Sequence, residues 1–171
     1  MRGAVFFISS LLLMSSLFLA CNSALPEDQD DEVEAATQTE SSAYDAKKAT
    51  AYGADDYGMR QYVMAFLRKG PNRDLDSLKA AALQMAHLEN IGRLAEAGKL
   101  TLAGPFLGDG DLRGIYIFNV STVEEAKALT KTDPAIQAGS LEMELLEWYG
   151  SAALMAVNDL HLTLAKKSVM E

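Results

Sequence analysis

The stretch that decides the fold of this chain is QYVMAFLR, residues 61–68. Its apolar side chains occur at every position from 62 to 67, so both alternating sets of residues are apolar. Because successive side chains of a strand point to opposite faces of a sheet, both faces of this strand must be covered. The pattern therefore predicts a strand with packing on each side, which Gly70-Pro71 ends.

The elements that follow fix the topology. We expect a helix from Asp74 or Asp76 to about Ala97, a strand over 99–106, a turn at 108–111, a strand over 113–120, a helix to about Thr130 and a strand over 140–148. The order β-α-β, hairpin, β-α-β is that of the split βαβ, or ferredoxin-like, arrangement. The sequence thus predicts an α+β fold, βαββαβ, with a four-stranded antiparallel sheet.

Three cap signals mark helix starts in the second half of the chain. Ser121 and Glu124 have the spacing of a capping box, although the helix could also begin at Thr122. Asp133-Pro134 predicts a short helical turn, with the aspartate as cap and the proline at the first helical position. Ser151 is expected to cap a last helix that carries Leu154, Val157, His161 and Leu164.

The predicted topology leaves one face of the sheet without helices. The strands at 61–68 and 113–120 are apolar on both sides, so that face also needs a cover. A domain of about 90 residues buries only a modest fraction of its surface alone. We expect two sheets to pack face to face in a homodimer; the C-terminal helix is the alternative cover within one chain.

The N-terminus is predicted to be a lipoprotein signal peptide, residues 1–20. Arg2 precedes a long apolar run that ends in LFLAC, which is similar to a lipobox although Phe18 and Leu19 depart from the usual residues. Cys21 is the only cysteine and is the expected lipidation site. We expect a protein anchored in the bacterial cell envelope, at the outer membrane facing the periplasm. An ordinary signal peptide and an uncleaved anchor helix are the alternatives.

Charge is concentrated in the segment after Cys21. Residues 22–58 carry ten acids and two lysines, whereas residues 59–171 carry fourteen acids and twelve basic residues, within a total of −9. This composition predicts an acidic, disordered tether over residues 21–58, in which a solvated spacer is favoured over a metal site. The almost neutral remainder lacks the clustered Lys and Arg that nucleic-acid binding needs.

His87 and Asp133 are the candidate catalytic residues. His87 shares a helical stripe with Leu83, Ile91 and Leu94, so it should point toward the sheet. Asp133 could hold one imidazole N–H and leave the other nitrogen as a general base. A core histidine and a plain helix cap are the structural alternatives. No serine or cysteine nucleophile pattern accompanies the pair, which disfavours hydrolysis.

Four further residues are candidates for substrate binding. Arg68 and Arg113 could bind an anionic substrate, although a role as plain surface charge is favoured. Trp148 and Tyr149 could stack on an aromatic ligand, with packing at a strand end as the alternative. His161 stands among apolar helix positions and is not expected to bind a ligand. With only two histidines, the chain gives no expectation of a metal or another cofactor.

Several stretches in this order resemble the YCII-related (YciI-like) family: YVMAFLRKGP at 62–71, HL at 87–88, GKL at 98–100, AGP at 103–105, GIYIF at 114–118, EEA at 124–126, DP at 133–134 and AG at 138–139. Ala135 departs from the bulky aromatic residue often found after Asp-Pro. The resemblance defines a domain over 59–149 and leaves the C-terminal helix, 150–171, outside it.

The resemblance implies a dimeric α/β barrel of ferredoxin-like type with a His87–Asp133 active site. Relatives with assigned chemistry act on chlorinated hydroxyaromatic compounds as dehydrochlorinases. The expected function is therefore that of a small cofactor-independent lyase or isomerase acting on a hydroxyaromatic or acidic metabolite. The alternative is a non-catalytic module that binds such a ligand at the cell envelope.

Overall fold

Residues 43–169 are described by the computed structural model. The predicted signal peptide, the lipidation site Cys21 and most of the acidic tether lie outside the described residues. Within residues 43–169, no helix combines the length and the apolar character needed to cross a membrane.

The described elements follow the predicted order. They are α1 (Ala46–Tyr52), β1 (Met59–Lys69), α2 (Ser77–Glu96), β2 (Leu100–Pro105), β3 (Leu112–Phe118), α3 (Val123–Thr130), α4 (Pro134–Gln137), β4 (Leu141–Ser151), a 3-10 helix (Ala152–Ala156) and α5 (Val157–Leu164). The strands form one sheet in the order β2-β3-β1-β4, and every neighbouring pair is antiparallel. The predicted ferredoxin-like α+β fold is confirmed.

The core lies between the sheet and helices α2 and α3. β1 contributes one alternating set, Val63, Ala65 and Leu67, and in register with it β3 contributes Tyr116 and Phe118. Leu94 of α2 and Ala126 of α3 close this layer. We call this side of the sheet the helix face. Paired residues of antiparallel strands point to the same side of the sheet. The residues that alternate with these along β1 and β3 therefore face the opposite side.

That opposite side, the second face, is covered only in part. Tyr62 and Ile117 are buried there, and the Tyr62 hydroxyl donates to the Ser151 carbonyl oxygen at 3.0 Å. The 3-10 helix contacts both β1 and β2, so the chain crosses this end of the sheet. Leu146 of β4, which pairs with Met64 of β1 on this face, remains 49% exposed. The C-terminal segment therefore does not cover the whole face.

The C-terminal segment begins at the predicted cap and then forms two helices in place of the single predicted one. Ser151 caps the 3-10 helix by accepting the Ala153 N–H at 3.2 Å, and α5 starts at Val157. No residue of α5 is buried, although its Asn158 side chain donates to the Leu100 carbonyl oxygen at 2.8 Å. This helix consequently lies beside the edge strand β2 and is not a second layer over the sheet.

Order begins earlier than the sequence predicts. Residues Ala46–Tyr52 form α1, whose N-cap Asp45 accepts two backbone N–H groups. The Arg60 guanidinium donates to the carbonyl oxygen of the last residue of α1 and to the Asn119 side chain, both at 2.7 Å. The expectation of a disordered tether as far as residue 58 is therefore wrong for this segment. Amino-acid composition does not predict α1, because the helix is stabilised by a contact from β1 that lies outside the segment.

Two expected caps are refined by the structure. Asp76, not Asp74, caps α2. The capping box of α3 is displaced by one residue from the predicted one: Thr122 accepts the Glu125 N–H at 3.2 Å, and the Glu125 carboxylate accepts the Ser121 N–H at 3.3 Å. The prediction that Glu124 is the partner in the capping box is thus wrong. Both registers have the required spacing, and the extended backbone at Thr122 selects the second.

Candidate functional site

The centre of the candidate site is a buried pair formed by α2 and the cap of α4. His87 Nδ1 lies 2.8 Å from Asp133 Oδ2 and 3.0 Å from Asp133 Oδ1. His87 is 7% exposed and Asp133 is fully buried. The helical periodicity of α2 thus directs the imidazole inward, as predicted, and the two side chains meet.

Asp133 also has its expected structural role. Its Oδ1 accepts the Ala135 N–H at 2.9 Å, which caps α4. The same oxygen is therefore shared between the helix cap and the imidazole. A buried carboxylate requires such donors, because an unpaired buried charge is strongly unfavourable. The cap fixes the carboxylate, and the carboxylate fixes the ring of His87.

Tyr116 of β3 is the third member of the site. Its hydroxyl lies 3.3 Å from His87 Nε2, and the two rings stack with centroids 6.2 Å apart. Burial, and secondly the Asp133 carboxylate, raise the pKa of Tyr116 well above its usual value. The phenol therefore keeps its proton throughout the ordinary pH range.

These contacts define the tautomer of a neutral His87. A carboxylate can only accept, so the hydrogen between His87 and Asp133 belongs to Nδ1. Nε2 is then the acceptor, and the Tyr116 O–H donates to it. At 3.3 Å this bond is long for an O–H donor, whose usual distance is about 2.7–2.8 Å. Nε2 thus carries a lone pair that is only weakly engaged.

Sequence reasoning did not identify Tyr116. It pairs with Ala65 across β1 and β3, so the alternation that puts Ala65 on the helix face also puts Tyr116 there. That signal is present in GIYIF, residues 114–118. This alternation predicts which face of the sheet Tyr116 occupies, but it does not predict that Tyr116 contacts His87 on α2.

A cavity of about 200 Å³ is lined by residues near His87 and Asp133 in the chain, although by neither of these two. Its wall includes Leu83, one helical turn before His87, and Ala135, the residue whose N–H binds Asp133. Arg113 lines the same cavity, and its guanidinium donates to the Gly108 carbonyl oxygen at 2.8 Å. Of the four predicted substrate-binding residues, Arg113 is the one that lines this cavity.

Arg68 and Trp148 lie on the second face, away from the pair. Arg68 forms an ion pair with Glu144 at 2.9 Å and a longer one with Asp111 at 3.4 Å. The Trp148 ring packs on Tyr62, with centroids 5.9 Å apart. Neither shares a site with His87 within one chain.

Tyr149 is also remote from the pair, near the start of β1. It is 54% exposed, and its hydroxyl donates to the Asp55 carboxylate. This hydrogen bond, followed by that from the Met59 N–H, lowers the pKa of Asp55. Tyr149 thus holds the turn before β1. In the part of the chain that the structure describes, no group of three or more His, Cys, Asp or Glu side chains could hold a metal ion.

The fold and the site define a class: a ferredoxin-like α+β domain whose helix face buries a His–Asp pair. Residues 61–149, more than half of the chain, match the sequence profile of the YCII-related domain. The chain belongs to this family.

Two similar proteins illustrate the relationship. The uncharacterized protein YjpA of Bacillus subtilis (strain 168) is 32% identical over 62 residues, which cover 36% of this chain and 71% of YjpA. Among solved structures, 5-chloro-2-hydroxyhydroquinone dehydrochlorinase (TftG) from Burkholderia phenoliruptrix AC1100, in complex with 2,5-dihydroxybenzoquinone, is similar with a TM-score of 0.39 and 23% identity. That match covers 50% of this chain and 92% of TftG.

Proposed function

We propose that this chain is a cofactor-independent lyase or isomerase in which His87 is the general base. The observation that carries the proposal is the orientation of the imidazole. Asp133 holds Nδ1–H at 2.8 Å, which leaves the lone pair of Nε2 directed at a weakly bound hydroxyl. A base held in one tautomer by a carboxylate, with its second nitrogen available, is the arrangement that proton abstraction needs.

The proposed reaction is loss of HCl from a small chlorinated hydroxyaromatic compound. A ring hydroxyl first gives its proton to the chlorine-bearing carbon as the ring tautomerises to a ketone, which makes that carbon tetrahedral. Nε2 then takes the proton of a second ring hydroxyl, and Asp133 stabilises the resulting imidazolium. The O–H electron pair forms a C=O bond, the ring π electrons shift to form a C=C bond to the tetrahedral carbon, and the C–Cl pair leaves with chloride. Two hydroxyl protons are lost, one to the carbon and one to Nε2, so the substrate loses HCl and the step needs no oxidant.

Tyr116 would assist through its own hydroxyl. Because burial keeps the phenol protonated, it remains a hydrogen-bond donor when negative charge develops on a substrate oxygen. Its bond to Nε2 is long, so replacing it by a substrate contact costs little. In this proposal, Tyr116 donates to Nε2 in the free protein and to the substrate during reaction.

A non-catalytic binding module is the second candidate, and one observation favours it. Both nitrogens of His87 already have partners, and the residue is only 7% exposed. A ligand in the cavity described above would contact Arg113 without ever reaching Nε2. In that case the pair would stabilise the wall of a binding site.

One experiment separates the two functions. Chloride release and ligand binding are measured on a chlorinated hydroxyhydroquinone for the wild type, His87→Gln and the control His161→Gln. A lyase should release chloride, and His87→Gln should lower the rate about 10²–10⁴-fold, the usual contribution of a general base. His161→Gln should leave the rate unchanged. Binding without chloride release in any variant would favour the binding module.

The proposal includes a second copy of the chain and a membrane. The partly exposed second face, which includes the exposed Leu146 of the edge strand β4, is where a second copy would pack its own sheet. Lipidation of Cys21 would hold the protein on the cell envelope, at the outer membrane facing the periplasm. The support for anchoring is the apolar run that ends at this cysteine.

A further inference from the structure

Two arginines line the cavity that Leu83 and Ala135 also line. The Arg73 guanidinium donates to the Ser140 carbonyl oxygen at 2.9 Å, and the Arg113 guanidinium donates to that of Gly108 at 2.8 Å. Among residues 43–169, neither has an acidic partner within ion-pair distance, whereas Arg68 has two. Two positive charges therefore share one small cavity with only carbonyl oxygens as partners.

Neither guanidinium is balanced by a carboxylate of residues 43–169 within ion-pair distance. Like charges that line the same cavity repel; Arg73 is exposed and Arg113 is partly buried, so water moderates this repulsion without removing it. Each guanidinium has five N–H donors, and the contacts with Ser140 and Gly108 leave most of them available. The planar fork of an arginine matches a carboxylate, which can accept two parallel N–H bonds. An anion of this shape would relieve the repulsion.

The size of the cavity limits the ligand. A volume of about 200 Å³ lies below the roughly 300–1,000 Å³ of pockets for drug-sized molecules, so only a small molecule fits. Ala135 contributes to this space because its side chain is a single methyl group at the wall. The opposite end of a bound ligand would meet Leu83 and Ala135, which lie one helical turn before His87 and two residues after Asp133.

We infer that this cavity binds a small carboxylic acid, with the carboxylate between Arg73 and Arg113. The inference assigns a ligand class to this cavity. That such a ligand is also a substrate of His87 rests on the proposed function, whereas its binding does not. The carboxylate end is held by the two arginines, while the other end of the molecule is directed toward the wall formed by Leu83 and Ala135.

The test compares an acid with its uncharged counterpart on the full-length protein in detergent. Calorimetry measures the binding of 4-hydroxybenzoate and of 4-hydroxybenzyl alcohol, which differ in the carboxylate. We expect the acid to bind at least tenfold more tightly. Equal affinities, or no binding of the acid, would overturn the inference, and this comparison needs no variant to fold.

Variants then locate the site. Arg73→Gln and Arg113→Gln should each weaken 4-hydroxybenzoate binding at least tenfold, and Ala135→Phe should abolish it by filling the cavity. The control Arg68→Gln removes an arginine with its own acidic partners and should leave the affinity unchanged. Unchanged affinity in folded Arg73→Gln and Arg113→Gln would place the acid elsewhere and contradict the inference.

The outcomes also distinguish this inference from the proposed function. His87→Gln should retain binding of 4-hydroxybenzoate, because the arginines hold the carboxylate. If the arginine variants lose binding while no chloride release is found, the acid site stands and the lyase proposal fails. If chloride release is found but both arginine variants retain normal acid affinity, the lyase stands and the acid site fails.

Discussion

Replacing Asp133 by asparagine should reverse the hydrogen-bond direction through His87 while leaving the fold intact. Oδ1 accepts from Ala135 N at 2.9 Å and could keep that bond in Asp133→Asn. The new amide nitrogen would stand where Oδ2 lies 2.8 Å from His87 Nδ1, and it is a donor. A hydrogen on Nδ1 would face this amide N–H, although Oδ1, 3.0 Å from Nδ1, still offers an acceptor. Because the contact at the Oδ2 position is the shorter one, we expect the ring hydrogen to move to Nε2 and to donate to the Tyr116 oxygen.

The expected energies follow from which donors lose their acceptors. Asp133→Asn exchanges a hydrogen bond to a charged group, worth about 1.5–3 kcal/mol, for a neutral one worth about 1 kcal/mol, a loss of roughly 1 kcal/mol. Asp133→Ala removes the helix cap, about 1 kcal/mol, and leaves the buried His87 Nδ1–H unpaired at about 1–3 kcal/mol. The alanine variant should therefore lose about 2–4 kcal/mol.

Urea unfolding gives the two free energies, and nitrogen NMR of the imidazole rings gives the tautomer. The chain has only two histidines, so His161 is an internal reference for His87. The asparagine variant should be the more stable of the two and should show hydrogen on Nε2 of His87. An asparagine variant as unstable as Asp133→Ala would refute the proposed hydrogen-bond chain, and hydrogen still on Nδ1 would show that Oδ1, not the Oδ2 position, sets the tautomer.

Three further predictions concern other parts of the molecule. Above about pH 10 the unfolded chain loses the Tyr116 proton that the folded chain keeps, because its folded pKa is raised; stability should then fall by up to about 1.4 kcal/mol per pH unit. In Tyr116→Phe, the free energy of unfolding measured with urea should fall less steeply between pH 8 and 11 than in the wild type. Equal slopes in the two proteins would contradict the burial argument. Light scattering at micromolar concentration should show a dimer that Leu146→Glu converts to a monomer; a monomeric wild type would mean that the second face needs no partner. Cys21→Ser should release the protein from membranes, and mass spectrometry showing an unmodified mature N-terminus beyond this residue would exclude lipidation.

Much of the fold is readable from local patterns. The two-sided apolar strand at 61–68, the turn residues after it and the proline at the start of α4 each act through neighbours in sequence. The inward direction of His87 follows from helical periodicity, and the position of Asp133 follows from its cap. Their contact required the topology as well, since α2 and α4 lie 46 residues apart at this point.

The remaining features depend on contacts that no local pattern contains. Helix α1 depends on Arg60, whose side chain also reaches Asn119, 59 residues away. Arg68 and Trp148 are candidates by residue type, but the strand register puts them on the face opposite His87. Arg73 becomes notable only because the fold brings it to the same cavity as Arg113. Whether a side chain belongs to the site depends on the strand register and on the face of the sheet more than on the residue type.

The most direct test of the central claim is the chloride-release rate of His87→Gln, measured together with its free energy of unfolding. Glutamine can still donate an N–H to Asp133, so the buried carboxylate keeps a partner, but its amide cannot take a proton. We expect a rate about 10²–10⁴-fold below that of the wild type, with unfolding free energy changed by about 1 kcal/mol. An unchanged rate with a large loss of stability would identify His87 as a structural residue and contradict its role as the base.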